Sequence, residues 1–149
     1  MSEDFLRLVY VSKATSAIDQ EVLQAILADS SARNASDGIT GVLCAGRGHY
    51  LQVLEGSVRR VMSLYLRIMK DPRHGDSTLL SISLVAERLF EKWAMGYIEG
   101  SPHSVFPHEV LFAERNIDAR NDRAAAILRR FVAVLKDRGR PPIGAAAVH

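Results

Sequence analysis

Apolar and polar residues follow regular spacings through most of the first hundred positions of the chain. Residues 5–12 alternate, which predicts a strand with Leu6, Leu8, Tyr10 and Ser12 on one face. That face therefore carries a phenol and a hydroxyl inside a run that is otherwise typical of a buried strand.

Six further elements follow this strand, and turn residues separate them. Asp37-Gly38 and Asp71-Pro72 are helix-ending signals, while Gly46-Arg47-Gly48 is typical of a hairpin tip. Leu23 and Leu27 fall on one helix face together with Asn34. In order, the sequence predicts a helix over 19–36, strands over 39–45 and 49–55, a helix between Ser57 and Asp71, and strands over 78–87 and 94–99.

The order β-α-β-β-α-β-β contains the split βαβ order of a ferredoxin-like fold, so we expect an α+β domain with two helices on one sheet face. An apolar patch is predicted on the other face, and an amphipathic helix over 122–138 is the candidate to cover it. We accordingly expect residues 1–100 to form the main domain and residues 101–149 a helical extension packed on it, with a disordered tail. The predicted patch comprises Val9, Val11, Leu51, Val53, Ile82 and Leu84.

Composition narrows the class of protein. The chain has 149 residues, 48% of them hydrophobic, and a net charge of +2, which suits one globular domain. Its basic residues are not concentrated into a stripe, so we expect no direct nucleic-acid binding. Apolar runs are too short to cross a bilayer, the N-terminus lacks a signal peptide, and Cys44 is the single cysteine, so we expect no membrane partner and a cytoplasmic location.

Enzyme and metal signatures are weak. The Gly46-Arg47-Gly48 tip lacks the third glycine and the helix of a dinucleotide fingerprint. His103 and His108 are five apart across a proline, which is poor metal-ligand spacing. No nucleophile has a recognisable activating base. We therefore expect neither an enzyme nor a metal site.

Three polar residues in apolar surroundings carry the candidate chemistry. Tyr10 alone is more often an ordinary core residue, and Asn34 has a helix-end explanation. Gln52 favours a functional explanation over a structural one, because glutamine is rare in interiors and its amide has a donor end and an acceptor end. Such an amide can bridge a phenol and a heterocycle, and turning it over exchanges the two ends. Together the residues suggest a polar, planar ligand.

In order and separation the polar residues resemble those of the BLUF domain, a blue-light receptor that binds flavin, over about residues 5 to 100. Ile39-Thr40-Gly41 and Glu55-Gly56 support the match, whereas Arg33 stands where some relatives have His. The residues that carry the resemblance are Tyr10, Ser12, Asn34, Gln52, Arg73, His74, Trp93 and Met95.

The resemblance implies FAD, with FMN and riboflavin as alternatives, bound non-covalently between the two helices. It implies that Tyr10 donates an electron, that Gln52 ends rotated or tautomerised, and that Asn34 bonds the flavin edge. His74 would lie against the ring, and Arg73 toward the ribityl or phosphate part. The output would pass through the strand of Trp93 and Met95 to a second copy or a separate effector protein.

Two other classes share the predicted fold. A regulatory or adaptor domain without a chromophore would use the same polar residues for structure. An enzyme of the acylphosphatase kind needs an Arg-bearing anion loop after the first strand, and VSKATSAID does not supply one. A yellow purified protein would favour the light sensor over the adaptor.

Overall fold

A computed structural model describes residues 4–17, 19–46, 48–90 and 94–99, together with three helical positions at 128, 129 and 133. The rest of the predicted helix over 122–138, the tail and Trp93 lie outside the described residues. The division at residue 100 therefore stays a prediction. The elements are β1 (Phe5–Ala14), α1 (Gln20–Asp37), β2 (Thr40–Gly46), β3 (His49–Gly56), α2 (Val58–Met69), β4 (His74–Val85) and β5 (Gly96–Glu99).

The five strands form one sheet in the order β4-β1-β3-β2-β5. The first four strands pair antiparallel, and β5 adds to the edge of β2 in parallel. This arrangement confirms the predicted α+β, ferredoxin-like fold. Among the described residues, no helix combines the length and apolar character that a bilayer crossing requires.

Local sequence signals explain both helices. Asp19 caps α1 by accepting a hydrogen bond from the Val22 amide at 2.8 Å, and Gly38 ends it with φ +67°. Ser57 caps α2 in the same way through the Arg60 amide at 3.3 Å. Leu23 and the other apolar residues on the inner helix faces pack against the sheet, and the resulting core includes Leu8, Leu27, Leu43, Leu54, Val61 and Leu64.

The close approach of β2 and β3 requires a residue without a side chain at position 41. A Cβ built at this position would lie 2.0 Å from the carbonyl oxygen of Val53 on the neighbouring strand. No side chain fits there without moving the backbone of β2 away from β3. The predicted Ile39-Thr40-Gly41 segment thus contains a glycine with a steric role.

The apolar patch on the second sheet face differs from the prediction at Ile82 and Leu84. Val9 and Val53 face each other there and are 0% exposed. Ile82 and Leu84 instead pair with Leu8 and Leu6 on the helix-bearing face, and they are 46% and 62% exposed. Assigning them to the second face was therefore wrong.

A β-bulge explains this difference. Val9 pairs with Ser81 and Tyr10 pairs with Leu79, so Leu80 is an extra residue on β4. One inserted residue reverses which face every later side chain of that strand occupies.

The connection from β4 to β5 is fastened to the second face by a buried carboxylate. Glu55 is 0% exposed and accepts hydrogen bonds from the Leu89 amide at 3.0 Å and the Phe90 amide at 2.8 Å. Arg7 on the neighbouring strand donates from Nε to Glu55 at 2.8 Å. Arg88 donates to the Thr40 hydroxyl at 3.2 Å. Because the charge of Glu55 is paired and hydrogen-bonded, the carboxylate can remain buried.

Candidate functional site

A cavity of about 130 Å³ lies between α1, α2 and the facing strands. Its wall contains every predicted site residue that the structure describes, and Trp93 lies outside the described residues. Predicted residues from five separate parts of the chain therefore meet at one place. The predicted residues that line it are Tyr10, Ser12, Asn34, Gln52, Arg73, His74 and Met95.

Tyr10, Gln52 and Met95 form a chain of polar contacts in this cavity. Tyr10 and Gln52 are directly opposite in the β1–β3 register, so their side chains share a face. The Tyr10 hydroxyl donates to Gln52 Oε1, and Gln52 Nε2 donates to Met95 Sδ at 3.4 Å. A thioether sulfur is a weak acceptor and cannot donate. The amide thus has a firm contact at its oxygen end and a weak one at its nitrogen end.

Burial determines the protonation state of Tyr10. Desolvation raises the pKa of Tyr10 well above its ordinary value, and the neighbouring Tyr65, Tyr50 and Asp71 raise it further. The Tyr65 ring packs against it with centroids 5.6 Å apart. Tyr10 is therefore a neutral phenol that keeps its proton.

Met95 lies just before β5 and not within a strand, which corrects the predicted strand over 94–99. The ladder between β2 and β5 begins at Gly96. Asn34 Nδ2 donates to the Ala94 carbonyl at 2.8 Å. A side chain of α1 therefore uses the backbone acceptor that lies two residues before the β2–β5 ladder begins. This contact confirms that Asn34 points inward, as its alignment with Leu23 and Leu27 indicated.

Several buried polar atoms of the cavity wall have no hydrogen-bond partner among the described residues. They are Asn34 Oδ1, Ser12 Oγ and His74 Nδ1. His74 Nε2 lies 2.6 Å from the Ile68 carbonyl, so Nε2 carries the proton and Nδ1 is an acceptor in the neutral ring. A buried polar group left unpaired costs about 1–3 kcal/mol. These atoms fit a planar heterocycle that carries its own donors and acceptors.

Arg73 lines the cavity but is already paired. Its guanidinium bonds the Asp71 carboxylate through Nε at 3.0 Å and Nη2 at 2.5 Å, and its amide bonds the same group at 2.9 Å. These bonds hold the pKa of Asp71 below its usual range. The charge of Arg73 is therefore balanced within the protein.

Sequence reasoning missed part of the wall. On α1, Ile26 and Ser30 line the cavity at the helical spacing that leads to Asn34, so extending that spacing would have found them. Arg33 was singled out only as a departure from relatives. Tyr50 and Asp71 also line it, and the α2 contribution is Leu64, Arg67 and Ile68. In the described ranges, no cluster of three acidic, histidine or cysteine side chains suits a metal ion.

Comparison with known proteins places this geometry in context. The family model BLUF, described as sensors of blue-light using FAD, matches residues 5–96. Photoactivated adenylate cyclase subunit beta of Euglena gracilis is 37% identical over 101 residues, which is 67% of this chain and 12% of that protein. The chain thus spans only a small part of the curated relatives it matches.

Solved structures agree with the family match. The dark-state structure of BlrB, a BLUF protein, superposes with a TM-score of 0.72 at 23% identity, covering 91% of this chain and all of that chain. That likeness concerns the fold. A bacterial light-regulated adenylyl cyclase has a TM-score of 0.62 at 29% identity, covering 89% of this chain and 36% of that one.

Proposed function

The chain belongs to the BLUF family of blue-light sensors that bind flavin, and we propose that the cavity between α1 and α2 holds that flavin non-covalently, as FAD. The observation that carries the proposal is the Tyr10–Gln52–Met95 chain in a cavity with unpaired polar atoms. A bound flavin supplies blue-light absorption and an oxidant in its excited state. Asn34, Ser12 and His74 would hold the ring through the atoms that lack protein partners.

Tyr10 and Gln52 would perform the light-driven step. Tyr10 is a buried neutral phenol and is placed to give up an electron, with its proton moving along the hydrogen bond to Gln52. When electron and proton return, Gln52 is left rotated or tautomerised. The flavin would end chemically unchanged, so the lasting difference would lie at Gln52 and its hydrogen bonds.

Rotation of Gln52 would change its contact with Met95. In the present orientation Nε2 donates to Met95 Sδ. After rotation, Oε1 would face a sulfur that cannot donate, so an attractive contact becomes a repulsive one. Light and dark states then differ in interaction energy at Met95, which any population shift requires.

The output is proposed to pass from Met95 to β5 and on to a second copy of the chain or a separate effector protein. The edge strand β5 pairs only with β2 among the described strands. The cyclases among the relatives are light-regulated enzymes by name, and this chain matches a small part of each.

Difference spectroscopy tests the light-driven step. We expect blue light to shift the flavin absorption to the red and the shift to reverse in darkness. Tyr10→Phe and Gln52→Leu should keep flavin and lose the shift, because the donor and the rotating amide are removed. Tyr65→Phe is the matched control and should keep it, since Tyr65 packs on Tyr10 without bonding Gln52. A normal reversible shift in either cavity variant would refute the mechanism.

A further inference from the structure

One edge of the sheet lacks the residues that normally prevent strands of different molecules from pairing. The strand β4 lies at the edge opposite β5, and its outer side pairs with no other described strand. Edge strands of monomeric proteins commonly carry charged side chains or proline, which discourage pairing with a second chain. Residues 77–85 contain no charged residue, proline or glycine. The backbone of β4 is therefore open to pairing with a further strand.

Apolar side chains are exposed beside this edge. Ile82 and Leu84 lie on the helix-bearing face of β4, where the bulge at Leu80 places them. Both are exposed, although the residues opposite them on β1 are buried. The large hydrophobic side chains that are exposed among the described residues are Val58, Leu66, Ile82, Leu84 and Leu89. Exposed apolar residues next to an unpaired strand favour contact with another protein chain.

The first turn of α2 extends this apolar surface. Gly56 at the end of β3 pairs with Leu6, and Leu6 pairs on its other side with Leu84. Because α2 begins two residues after Gly56, Val58 lies at the same end of the sheet as Leu84. The exposed surface therefore combines a helix turn with the edge strand.

The order of residues after the bulge suits a second copy of the chain. In an antiparallel pair of identical strands centred on Ser83, Ile82 of each copy would lie opposite Leu84 of the other. Residues opposite each other on antiparallel strands share a face, so these apolar side chains would meet on the helix-bearing face. A two-fold contact repeats every such interaction. A copy thus supplies by symmetry both the uncharged strand and the apolar residues that match it.

The exposed charges at this end of the sheet are of both signs. Arg59 follows Val58 on α2 and is exposed. Asp4 precedes the residue of β1 that pairs with Val85, and Glu87 follows β4; both carboxylates are exposed. Each copy therefore presents a guanidinium group as well as carboxylates to the other, so association is not opposed by charges of a single sign.

We propose that the edge of β4 and the apolar surface beside it bind a second copy of the chain, by antiparallel pairing of residues 81–85 about Ser83. The contact joins two five-stranded sheets into one continuous sheet. It lies at the edge opposite β5, so it leaves the proposed output edge accessible. Because it uses no residue of the cavity wall, the dimer is the same in darkness and in light and does not depend on flavin.

Sedimentation of the full chain with flavin added, over a range of concentrations, tests the contact. We expect a dimer in darkness and in blue light alike. Ile82→Lys and Leu84→Lys should each weaken dimerisation by about tenfold or more, because two-fold symmetry places each lysine in the contact twice. Leu89→Lys is the matched control and should dimerise normally, since Leu89 is exposed but lies outside β4. All three variants should keep the circular dichroism spectrum of the parent chain, because the replaced side chains are exposed.

Hydrogen exchange in the unsubstituted chain tests whether the strands pair. Amides of residues 81–85 that point away from β1 should exchange about tenfold or more slowly in the dimer than after dilution to the monomer. Amides of β5, at the other edge, should exchange at the same rate in both.

Three results would overturn the proposal. A chain that stays monomeric at every concentration would assign the surface to a different protein. A dimer that Ile82→Lys and Leu84→Lys leave intact would have another interface. A dimer in which residues 81–85 exchange as fast as in the monomer would not contain the paired strands. Flavin that fails to bind would refute the proposed function, whereas sedimentation would still decide for or against the dimer.

Discussion

At the scale of single residues, the cavity depends on buried polar atoms that the protein leaves unpaired. Asn34 is the clearest case, because its Nδ2 is used by the Ala94 carbonyl while its Oδ1 is free among the described residues. An amide that is half satisfied inside a protein is costly unless a ligand completes it. Asn34 thus links a structural contact to a binding contact.

Asn34→Ala is expected to weaken flavin binding. Removing the amide strips one or two hydrogen bonds from the ligand, each with a net contribution of about 0.5–1.5 kcal/mol, so affinity should fall roughly threefold or more. The matched control is Ser31→Ala, since Ser31 is buried on the same helix with an unpaired hydroxyl but does not line the cavity. Flavin titration of both variants is the measurement, and equal losses would contradict the placement of the ligand beside Asn34.

The raised pKa of Tyr10 predicts how stability depends on pH. An unfolded tyrosine loses its proton near pH 10.0, whereas folded Tyr10 keeps its proton to higher pH. Above pH 10 the unfolded state therefore binds fewer protons than the folded state, and the free energy of unfolding decreases as pH rises. Tyr10→Phe should make this decline shallower, as denaturant unfolding at pH values on both sides of 10 would show.

Other buried acids also titrate in the alkaline range, so the comparison of variants is essential. Burial raises the pKa of the Cys44 thiol to about 12 and that of the Tyr50 phenol above its ordinary value. Both remain in Tyr10→Phe, and only the Tyr10 contribution is removed. Identical slopes for the two proteins above pH 10 would rule out a raised pKa at Tyr10.

At the scale of elements, Glu55 and Asn34 hydrogen-bond the backbone of the segment that connects β4 to β5, each at a different place. Glu55 binds the amides of Leu89 and Phe90, and Asn34 binds the Ala94 carbonyl. The approach to Met95 is therefore tied to β3 on one side and to α1 on the other. The fold thereby places a sulfur next to the Gln52 amide.

Arg7→Met is expected to be strongly destabilising. It removes the cation that pairs with a carboxylate that is 0% exposed, and breaking such a buried pair costs about 3–5 kcal/mol. Lys13→Met is the matched control on the same strand, because Lys13 and Asp76 form an exposed pair at 3.9 Å. Its cost should stay within about 1 kcal/mol. Equal shifts in the urea midpoint would show that the Arg7–Glu55 contact contributes no more to stability than the exposed Lys13–Asp76 pair.

At the scale of the whole molecule, the proposed signal leaves through an edge of the sheet. β1 and β3 are central strands paired on both sides, whereas β5 pairs, among the described strands, through one parallel ladder with Val42 to Ala45. An element with fewer hydrogen bonds opens more readily than the strands beside it. Loss of the Gln52–Met95 contact should therefore change β5 before it changes the sheet centre.

Hydrogen exchange in darkness and under blue light tests this route. We expect faster amide exchange in light over residues 96–99 and unchanged exchange in β1, because rotation of Gln52 loosens Met95 beside β5. Gln52→Leu is the control and should show no light effect. Light-sensitive exchange confined to another face, with β5 unchanged, would mean that the signal leaves elsewhere.

Truncation after Gly100 separates sensing from output. Since the described residues of the cavity wall lie between Tyr10 and Met95, the shortened chain should keep its flavin and its reversible red shift. It should lose light-dependent association with a partner or a second copy, which sedimentation in light and dark would detect. Unchanged light-dependent association would assign the output surface to the first hundred residues.

The sequence by itself determined the features that depend on neighbouring residues in the chain. The helix-ending signals at Asp37-Gly38 and Asp71-Pro72 placed the ends of both helices to within about two residues. Alternation placed Tyr10 and Gln52 on strand faces, and polar groups in apolar runs marked them as exceptional. Such signals are local, so the element order, the family resemblance and part of the cavity wall could be inferred from them.

Only the tertiary structure decided what depends on how distant segments pair. The extra Leu80 moves Ile82 and Leu84 to the other face, and alternation cannot reveal a bulge because it is defined against a partner strand. Asp71 cancels the charge of Arg73 through side-chain geometry, which the spacing of residues along the chain does not reveal. Spacing along one strand or helix is set by backbone geometry, whereas register and charge pairing are set by contacts between segments.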